Sequence, residues 1–353
     1  MPWGECLVPP AVASPELRAE VRRTMGAVPD WVTRFAPCPW VVRAVMRVVT
    51  KPSSYAPPGL WDLVTLVVSQ DNSCRYCYGV QRSLLKIFGY DDTMLARLER
   101  DFHLAGLAET DRAALDFARK LSRAYPRPGR REYDDLARAG FERAAIAEIA
   151  FAVAATAFTN RTATLVALPP DAQLESMVTW TLFRFLRPLV AWRMRRARQS
   201  PQPLADGDDR FGARVVAALG DSPSATILRR TIDDAWDSDI LPRRTKALMF
   251  AVIAKALGCA YCEDEAHRAL FTAGLDEATI DDVLANLGSS RLDRREQMLV
   301  PFARETVRYQ PADIQRRMRE VTVGMRPAEI VELAGVVSLA NAVSRLSVLL
   351  DVC

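Results

Sequence analysis

A pair of cysteines separated by two residues occurs twice in the chain, and this repetition restricts the fold more than any other feature. Cys74 and Cys77 correspond to Cys259 and Cys262 at an offset of 185 residues (74 to 259). Self-similarity at a fixed offset indicates repeated structure. The sequence therefore predicts two copies of one fold, related by internal duplication. Further identical residues are separated by 185 or 184 positions. They are Pro57 with Pro242, Gly89 with Gly274, Phe117-Ala118-Arg119 with Phe302-Ala303-Arg304, and Ile146, Glu148 and Arg161 with Ile330, Glu332 and Arg345.

The length of the chain fits this division. Domains cluster near ~100–200 residues, so a chain of 353 residues is long enough for two of them. The segment between the copies is rich first in Arg and then in Gln, Pro, Asp and Gly, as linkers often are. We predict an N-terminal helical domain over residues 1–192, a linker over 193–209 and a C-terminal helical domain over 210–353.

Apolar periodicity predicts helix nearly throughout. Ile330, Leu333, Ala334 and Val337 have the spacing of one helical face, and the sustained alternation of β-strands is absent. The almost wholly apolar run 144–158 indicates a helix that is buried on most sides. We therefore expect an all-α fold.

Charge and hydropathy exclude several classes of protein. The 47 Lys and Arg against 43 Asp and Glu leave a net charge of +4, which gives no argument for a nucleic-acid partner. The first residues lack the basic start and apolar core of a secretory signal. The apolar stretch 174–192 is interrupted by Glu175, Arg184, Arg187 and Pro188, which disfavour a membrane span. We expect a cytoplasmic protein without a transmembrane helix.

Each cysteine pair follows an apolar run and stands at the predicted start of a helix. We expect Asn72 or Ser73 to cap the first of these helices and Gly258 to cap the second. Amide groups and the dipole at a helix N-terminus stabilise a thiolate and lower the pKa of the cysteine. Two cysteines on one helical turn can also form a disulfide.

Three interpretations of the pairs follow from the residues. Seven cysteines are too few for a secreted disulfide scaffold, and paired cysteines in a reducing compartment indicate redox or metal chemistry. We favour a redox-active dithiol, because the pair stands at equivalent places in both copies. The alternatives are a structural zinc site built from both pairs and packed, inert thiols. Cys6, Cys38 and Cys353 have no near partner in sequence and are expected to be unpaired.

The residues around the first pair resemble a known family. Asp62, then the stretch 71–77, then a helix ending at Gly89 resemble the alkylhydroperoxidase D-like branch of the carboxymuconolactone decarboxylase family. The stretches 115–121 and 158–161 are similar to that family's downstream signatures, notably those of its peroxidase-related members. The resemblance covers roughly residues 30–168 and 212–350. It implies an all-α fold, assembly into homo-oligomers, and catalysis without an organic cofactor or a metal.

The resemblance also implies a mechanism. In the family the second cysteine of the pair attacks a peroxide and becomes a sulfenic acid, and the first cysteine resolves it as a disulfide. Attack is thereby assigned to Cys77 and Cys262, and resolution to Cys74 and Cys259. A Glu twelve residues before the first cysteine and a His four residues after the second serve as the family's proton relay.

Neither copy has a complete relay. The two positions hold Asp62 and Gln81 in the first copy, and Ala247 and Ala266 in the second. An amide such as Gln81 forms hydrogen bonds but does not shuttle a proton at neutral pH. His267 lies one position further on, about 100° around a helix. It is either a surface histidine or a substitute for the missing relay histidine.

Two groups of arginines each allow two interpretations. Arg161 and Arg345 are expected at the ends of apolar helices, where they suit the helix dipole, or they face a substrate. The Arg-rich segment 184–198 predicts an amphipathic helix. Such a helix either packs its apolar face on a partner domain or subunit, or contacts anionic lipid.

These observations predict a thiol–disulfide oxidoreductase or a weak, antioxidant peroxidase. Its substrate would be a small peroxide or disulfide, and its reductant a small thiol or a dithiol protein. Two alternatives stay open. One is a protein that binds a small molecule without catalysis or redox chemistry. The other is a decarboxylase or isomerase of a lactone-like metabolite on the same fold.

Overall fold

The computed structural model describes residues 3–123, 130–180, 183–197 and 210–353. Every regular element in these ranges is a helix, which confirms the predicted all-α fold. The first group of helices is α1 (Pro15–Met25), α2 (Asp30–Phe35), α3 (Pro39–Val49), α4 (Leu60–Asp71), α5 (Arg75–Phe88), α6 (Asp92–Arg100), a 3-10 turn (Phe102–Leu104), α7 (Glu109–Arg123), α8 (Arg130–Arg138), α9 (Arg143–Leu165), α10 (Ala172–Met177) and α11 (Phe183–Ala197). The second group is α12 (Ala213–Ala217), α13 (Pro223–Asp237), α14 (Arg243–Leu257), α15 (Ala260–Thr272), α16 (Glu277–Asn286), α17 (Arg294–Glu305), α18 (Pro311–Val321) and α19 (Pro327–Leu349).

The long helices α9 and α19 form the centre of the molecule. Each has 23 residues, and nearly all of their side chains are buried, so neither helix has a polar face. The two helices pack against each other and join the apolar side chains of both halves into one continuous core. α19 is long and apolar enough to cross a membrane, but its apolar stretch is entirely buried inside the protein, as in a core helix.

The cysteine-bearing helices pack around this centre in a matching order. α4 contacts α5, α7 and α9, while α14 contacts α15, α17 and α19. Each cysteine pair therefore lies at the turn between a buried helix, α4 or α14, and the helix that follows it.

A buried glutamate from each central helix holds a loop of the same half. Glu148 forms an ion pair with Lys51, and its carboxylate accepts the backbone N–H of Ala56 at 2.7 Å. Glu332 accepts the indole N–H of Trp40 at 3.1 Å and the backbone N–H of Leu241. Ala56 and Leu241 are 185 positions apart, as are the two cysteine pairs, so the two glutamates hold loops at matching places in the sequence.

Arg161 and Arg345 lie one turn before the ends of α9 and α19, as expected. Their side chains also donate hydrogen bonds to carbonyls at the ends of other helices. Arg161 Nε donates to the carbonyl of Thr306 at 3.2 Å, directly after α17. Arg345 Nη1 donates to the carbonyl of Ser122 at 2.9 Å, in the last turn of α7. Each arginine of one half therefore binds carbonyls at a helix end in the other half.

The basic segment forms α11, which packs on α5 of its own chain. Phe183 and Ala191 are buried against Ile87, while Phe185 and Trp192 remain exposed. Arg193, Arg195 and Arg196 are exposed on the same helix. Of the predicted linker, residues 193–197 belong to α11, and residues 198–209 lie outside the described part of the chain.

Candidate active site at the first cysteine pair

The turn between α4 and α5 places Cys74 at the N-terminus of α5. Ser73 adopts a left-handed conformation, with φ of 51°, which reverses the chain after α4. Cys74 itself is the N-cap residue, and its Sγ accepts the backbone N–H of Cys77 at 3.3 Å. The prediction that Asn72 or Ser73 caps this helix is therefore wrong. Asn72 ends α4 instead, because only a short turn separates the two helices.

The two thiols of this pair differ in acidity. Burial raises the pKa of Cys74, but hydrogen bonding with the side chain and backbone of Cys77 opposes this effect, and the pKa of Cys74 lies below its ordinary value. Burial, the hydrogen bond with Cys74 and the nearby Cys74 charge raise the pKa of Cys77 well above its ordinary value. The arrangement therefore favours a thiolate on Cys74 and a proton on Cys77.

The two thiols also differ in access to solvent. Cys74 has no exposed surface, whereas Cys77 is partly exposed. Both are free thiols. A molecule from solution therefore meets Cys77 first, and the buried Cys74 thiolate lies behind it. This order of exposure fits the roles of attack and resolution that the family resemblance implies.

Asp62 and Gln81, at the two relay positions, meet in the structure. Gln81 Nε2 donates to the backbone carbonyl of Asp62 at 3.0 Å and to its Oδ1 at 3.3 Å. Both side chains are buried, on α4 and α5 respectively. Gln81 lies one turn after Cys77, and therefore on the same side of α5. The two positions that the resemblance assigns to a proton relay are thus spatial neighbours, and the second of them holds an amide.

The second half contributes a residue to this site that the sequence did not predict. Tyr309, in the loop after α17, has a pKa raised by burial, and its neighbours include Arg161, Cys74 and Thr164. The Arg161 guanidinium stacks on the Tyr309 ring, 5.5 Å from the centroid. No motif or periodicity surrounds Tyr309 in the sequence. Its place beside the first pair results only from the packing of the two halves.

The second cysteine pair has a similar backbone but a different chemical state. Cys259 is the N-cap of α15, and its Sγ accepts the backbone N–H of Cys262 at 3.4 Å. Gly258, the predicted cap, instead ends α14 in a left-handed conformation. Cys259 forms a disulfide with Cys353, with 5.2 Å between their Cα atoms. The prediction that Cys353 is unpaired is therefore wrong, because the fold returns the end of the chain to the start of α15.

Cys262 is left as a buried thiol. Its Sγ lies 3.2 Å from the Ser347 hydroxyl, which donates to the carbonyl of Val343 at 2.9 Å. Burial raises the pKa of Cys262 to about 11, although Ser347 and Ser344 oppose this shift. In this state Cys262 lacks a free thiol partner in its own pair.

The relay positions of the second half carry no polar group. Ala247 and Ala266 are both fully buried. His267 is partly exposed on α15. Within the described part of the chain, His267 makes no hydrogen bond or ion pair, so the structure does not bring it to Cys262. We find no group of three or more Cys, His, Asp or Glu side chains arranged for a metal among the described residues.

An open surface cleft of about 580 Å³ lies beside the N-terminus of α5. Arg34, Arg75 and Cys6 are among its lining residues, and Cys74 and Cys77 are not. Gly79, one residue beyond Tyr78, allows α10 to approach α5 closely, because a Cβ atom there would lie 2.2 Å from Glu175 Oε1. α10 therefore borders the same cysteine-bearing helix on another side.

Comparisons with known proteins address the C-terminal half most directly. Residues 225–305, which contain the second cysteine pair, match the sequence model of the carboxymuconolactone decarboxylase family. No curated protein matches the chain.

Two solved structures are similar to part of the chain. One is an uncharacterised peroxidase-related protein from Silicibacter sp. TM1040, with 23% identity, a TM-score of 0.43, and coverage of 49% of this chain and 97% of that one. The other is an uncharacterised peroxidase-related protein with an alkylhydroperoxidase AhpD core from Ralstonia eutropha JMP134. It has 21% identity, a TM-score of 0.43, and coverage of 51% of this chain and 96% of that one. For residues 225–305, this match confirms the resemblance to the carboxymuconolactone decarboxylase family.

Proposed function

We propose that this protein is a thiol–disulfide oxidoreductase whose working dithiol is Cys74 and Cys77. One observation carries the proposal. Cys74 Sγ caps α5 and accepts the Cys77 N–H at 3.3 Å, while both thiols are free and Cys77 is partly exposed. A substrate disulfide can reach the partly exposed Cys77, and the stabilised Cys74 thiolate is placed to resolve the mixed disulfide that forms there.

The exchange proceeds in two balanced steps. Cys77 loses its proton and attacks one sulfur of a substrate disulfide, and the other substrate sulfur leaves as a thiolate. Cys74 then attacks Cys77 Sγ in this mixed disulfide, forms the Cys74–Cys77 disulfide and releases the second substrate thiolate. The substrate is reduced to two thiols, and a dithiol reductant returns the pair to its starting state by the reverse exchange.

Peroxide is the slower substrate in this proposal. Attack by Cys77 on either substrate requires its thiolate, and the raised pKa of Cys77 keeps that form scarce near neutral pH; the two substrates differ in what else the reaction needs. Gln81 donates to the Asp62 carbonyl at 3.0 Å, but its amide does not transfer a proton. The usual rate gain of ~10²–10⁴-fold from general acid–base catalysis is therefore absent. Exchange with disulfides depends less on this relay, because a thiolate is a better leaving group than an alkoxide.

We also propose that the two halves arose by duplication. Three kinds of contact recur at corresponding positions: Ala56 and Leu241 donate to Glu148 and Glu332, and Cys74 and Cys259 cap their helices. The third contact is made by Arg161 and Arg345, each of which donates to a backbone carbonyl of the opposite half.

The test is a single-turnover assay with a small peptide disulfide and fully reduced protein. We expect Cys77→Ser to abolish reduction of the peptide. We expect Cys74→Ser to stop at a mixed disulfide between Cys77 and the peptide, visible by mass spectrometry as an added mass. Cys6→Ser is the matched control, because Cys6 is a partly exposed thiol remote in sequence from the pair. Unchanged rates in both pair variants would refute the proposal.

A further inference from the structure

The Cys259–Cys353 disulfide joins the end of the chain to the start of α15. Its two sulfur atoms differ in their exposure to solvent. Cys259 has no exposed surface, while Cys353 is partly exposed. A thiol from solution therefore reaches the bond through Cys353.

The segment that carries Cys353 packs against the core and is also held by hydrogen bonds of Val352. Val352 donates its backbone N–H to the carbonyl of Ser347 at 2.9 Å, and its own carbonyl accepts from Arg214 Nη2 at 3.3 Å. Arg214 stacks on Tyr261, 4.8 Å from the ring centroid, and its backbone N–H donates to the Tyr261 hydroxyl at 3.1 Å. Arg214 thus links the segment of Cys353 to Tyr261, the residue directly before Cys262.

We infer that Cys259–Cys353 is an exchangeable disulfide, that a dithiol opens it by attack on Cys353, and that its opening gives the second half a Cys259/Cys262 dithiol. In the first step a thiolate of the dithiol bonds to Cys353 Sγ, and Cys259 leaves as a thiolate. In the second step the other thiol of the reagent displaces Cys353 as a thiolate, so that the reagent becomes a disulfide and the protein gains two thiols.

The geometry favours this direction of attack. The departing Cys259 sulfur lies at the N-terminus of α15 and receives the Cys262 N–H at 3.4 Å, and a helix N-terminus stabilises a thiolate leaving group. In the opposite direction the reagent would have to reach a sulfur with no exposed surface. Disulfides with an exposed sulfur are typically the labile ones that exchange with thiols, and Cys353 is partly exposed.

The inference extends the proposed function to the second half without depending on the first pair. Cys74 and Cys77 are present as free thiols, whereas the second pair becomes a dithiol only after Cys353 is released. Cys353 would then control whether Cys259 pairs with the end of the chain or with Cys262.

The test uses the full chain with Cys74→Ser and Cys77→Ser, so that failure at the first pair is distinguishable from failure at the second. Protein prepared without reductant is unfolded, alkylated and digested. We expect a cross-linked peptide containing Cys259 and Cys353, with Cys262 alkylated. Dithiothreitol applied to the native protein should then convert the cross-link into two alkylatable thiols, while the helical circular dichroism signal stays unchanged.

A Cys353→Ser variant in the same background tests the exchange of partners. Mild oxidation with diamide should then link Cys259 to Cys262, whereas Cys6→Ser in its place should retain the Cys259–Cys353 link. Three results would overturn the inference: no Cys259–Cys353 link in the native protein, opening by dithiothreitol only when the helical signal is lost, or no Cys259–Cys262 link in the Cys353→Ser variant.

Discussion

Arg161 and Arg345 donate to the same acceptor, the carbonyl oxygen of Val307. Their Nη2 atoms lie 3.3 Å and 2.9 Å from it, and both side chains are almost completely buried in α9 and α19. Burial lowers the pKa of each guanidinium. Within the described residues neither arginine forms an ion pair with a carboxylate. Carbonyl dipoles at helix ends thus offset part of the cost of burying two positive charges.

This shared acceptor predicts non-additive effects of mutation. Arg345→Met leaves the carbonyl of Ser122 without this donor, and we expect a loss of about 2–3 kcal/mol in the free energy of unfolding. Arg161→Met should cost a similar amount for the same reason. Because both arginines bind Val307, the double variant should deviate from the sum by about 0.5–3 kcal/mol. Urea unfolding of the four proteins measures this coupling, and strict additivity would contradict the shared role.

Restoring the missing relay histidine should raise peroxide reactivity at the first pair. Gln81→His places an imidazole one turn after Cys77 and beside Asp62. In the unmodified protein the Gln81 amide donates to the Asp62 backbone carbonyl at 3.0 Å. We expect oxidation of the pair by hydrogen peroxide to accelerate about 10- to 100-fold, measured by stopped-flow and thiol alkylation. Ala266→His is the matched control in the second half. It should change little, because Cys259 is bonded to Cys353. Equal rates for Gln81→His and the unmodified protein would argue against the relay geometry.

The buried ion pair of Lys51 and Glu148 should make stability depend on acid pH. Burial raises the pKa of Glu148, but Lys51 and the backbone N–H groups of Ala56 and Tyr55 outweigh it and leave this pKa below its ordinary value. The stabilisation is therefore present above the unfolded-state pKa of about 4.3 and is lost as the pH falls through the lower folded-state pKa.

Glu148→Gln tests this dependence. We expect the variant to lose about 3–5 kcal/mol at pH 7, because the buried Lys51 charge loses the carboxylate that neutralises it. The difference from the unmodified protein should shrink as the pH falls below about 4. Lys51→Met combined with Glu148→Leu should be less destabilised than either single change, since no lone charge remains. A pH-independent difference in urea unfolding would contradict the prediction.

Two glycines within helices should respond differently to alanine. A Cβ at Gly335 would lie 2.7–2.9 Å from Val41 Cγ2 and from ring carbons of Trp40, all in packed side chains. A Cβ at Gly79 meets the flexible end of Glu175 instead. Overpacking costs about 1–3 kcal/mol, and alanine regains up to ~1 kcal/mol of helix propensity.

We therefore expect Gly335→Ala to destabilise the protein by up to about 2 kcal/mol, the overpacking cost less the propensity gain. Gly79→Ala should be close to neutral, because Glu175 can rotate away. Thermal unfolding of the two variants provides the comparison. A Gly335→Ala protein as stable as Gly79→Ala would show that α3 adjusts to α19 more easily than the packing indicates.

The sequence by itself determined the helices, the repeated register and the two cysteine pairs. Periodicity and apolar runs are local properties, so they predicted α4, α5, α9 and α19 without any knowledge of their neighbours. The resemblance also identified the relay positions, and the contact between Asp62 and Gln81 follows from their places on adjacent helices. The capping residues were misplaced by one or two positions, because the turn between the helices is shorter than a separate cap would need.

Only the tertiary structure decided the chemical states of the two pairs. Cys353 lies 94 residues from Cys259, and no local pattern predicts that α19 returns the chain to the start of α15. The position of Tyr309 beside the first pair, and the reach of Arg161 and Arg345 into opposite halves, likewise depend on how α9 packs on α19. Propensity acts along the chain, whereas burial, charge and disulfide pairing depend on distances through space. Two similar sequence motifs therefore became one free dithiol and one cysteine joined to the end of the chain.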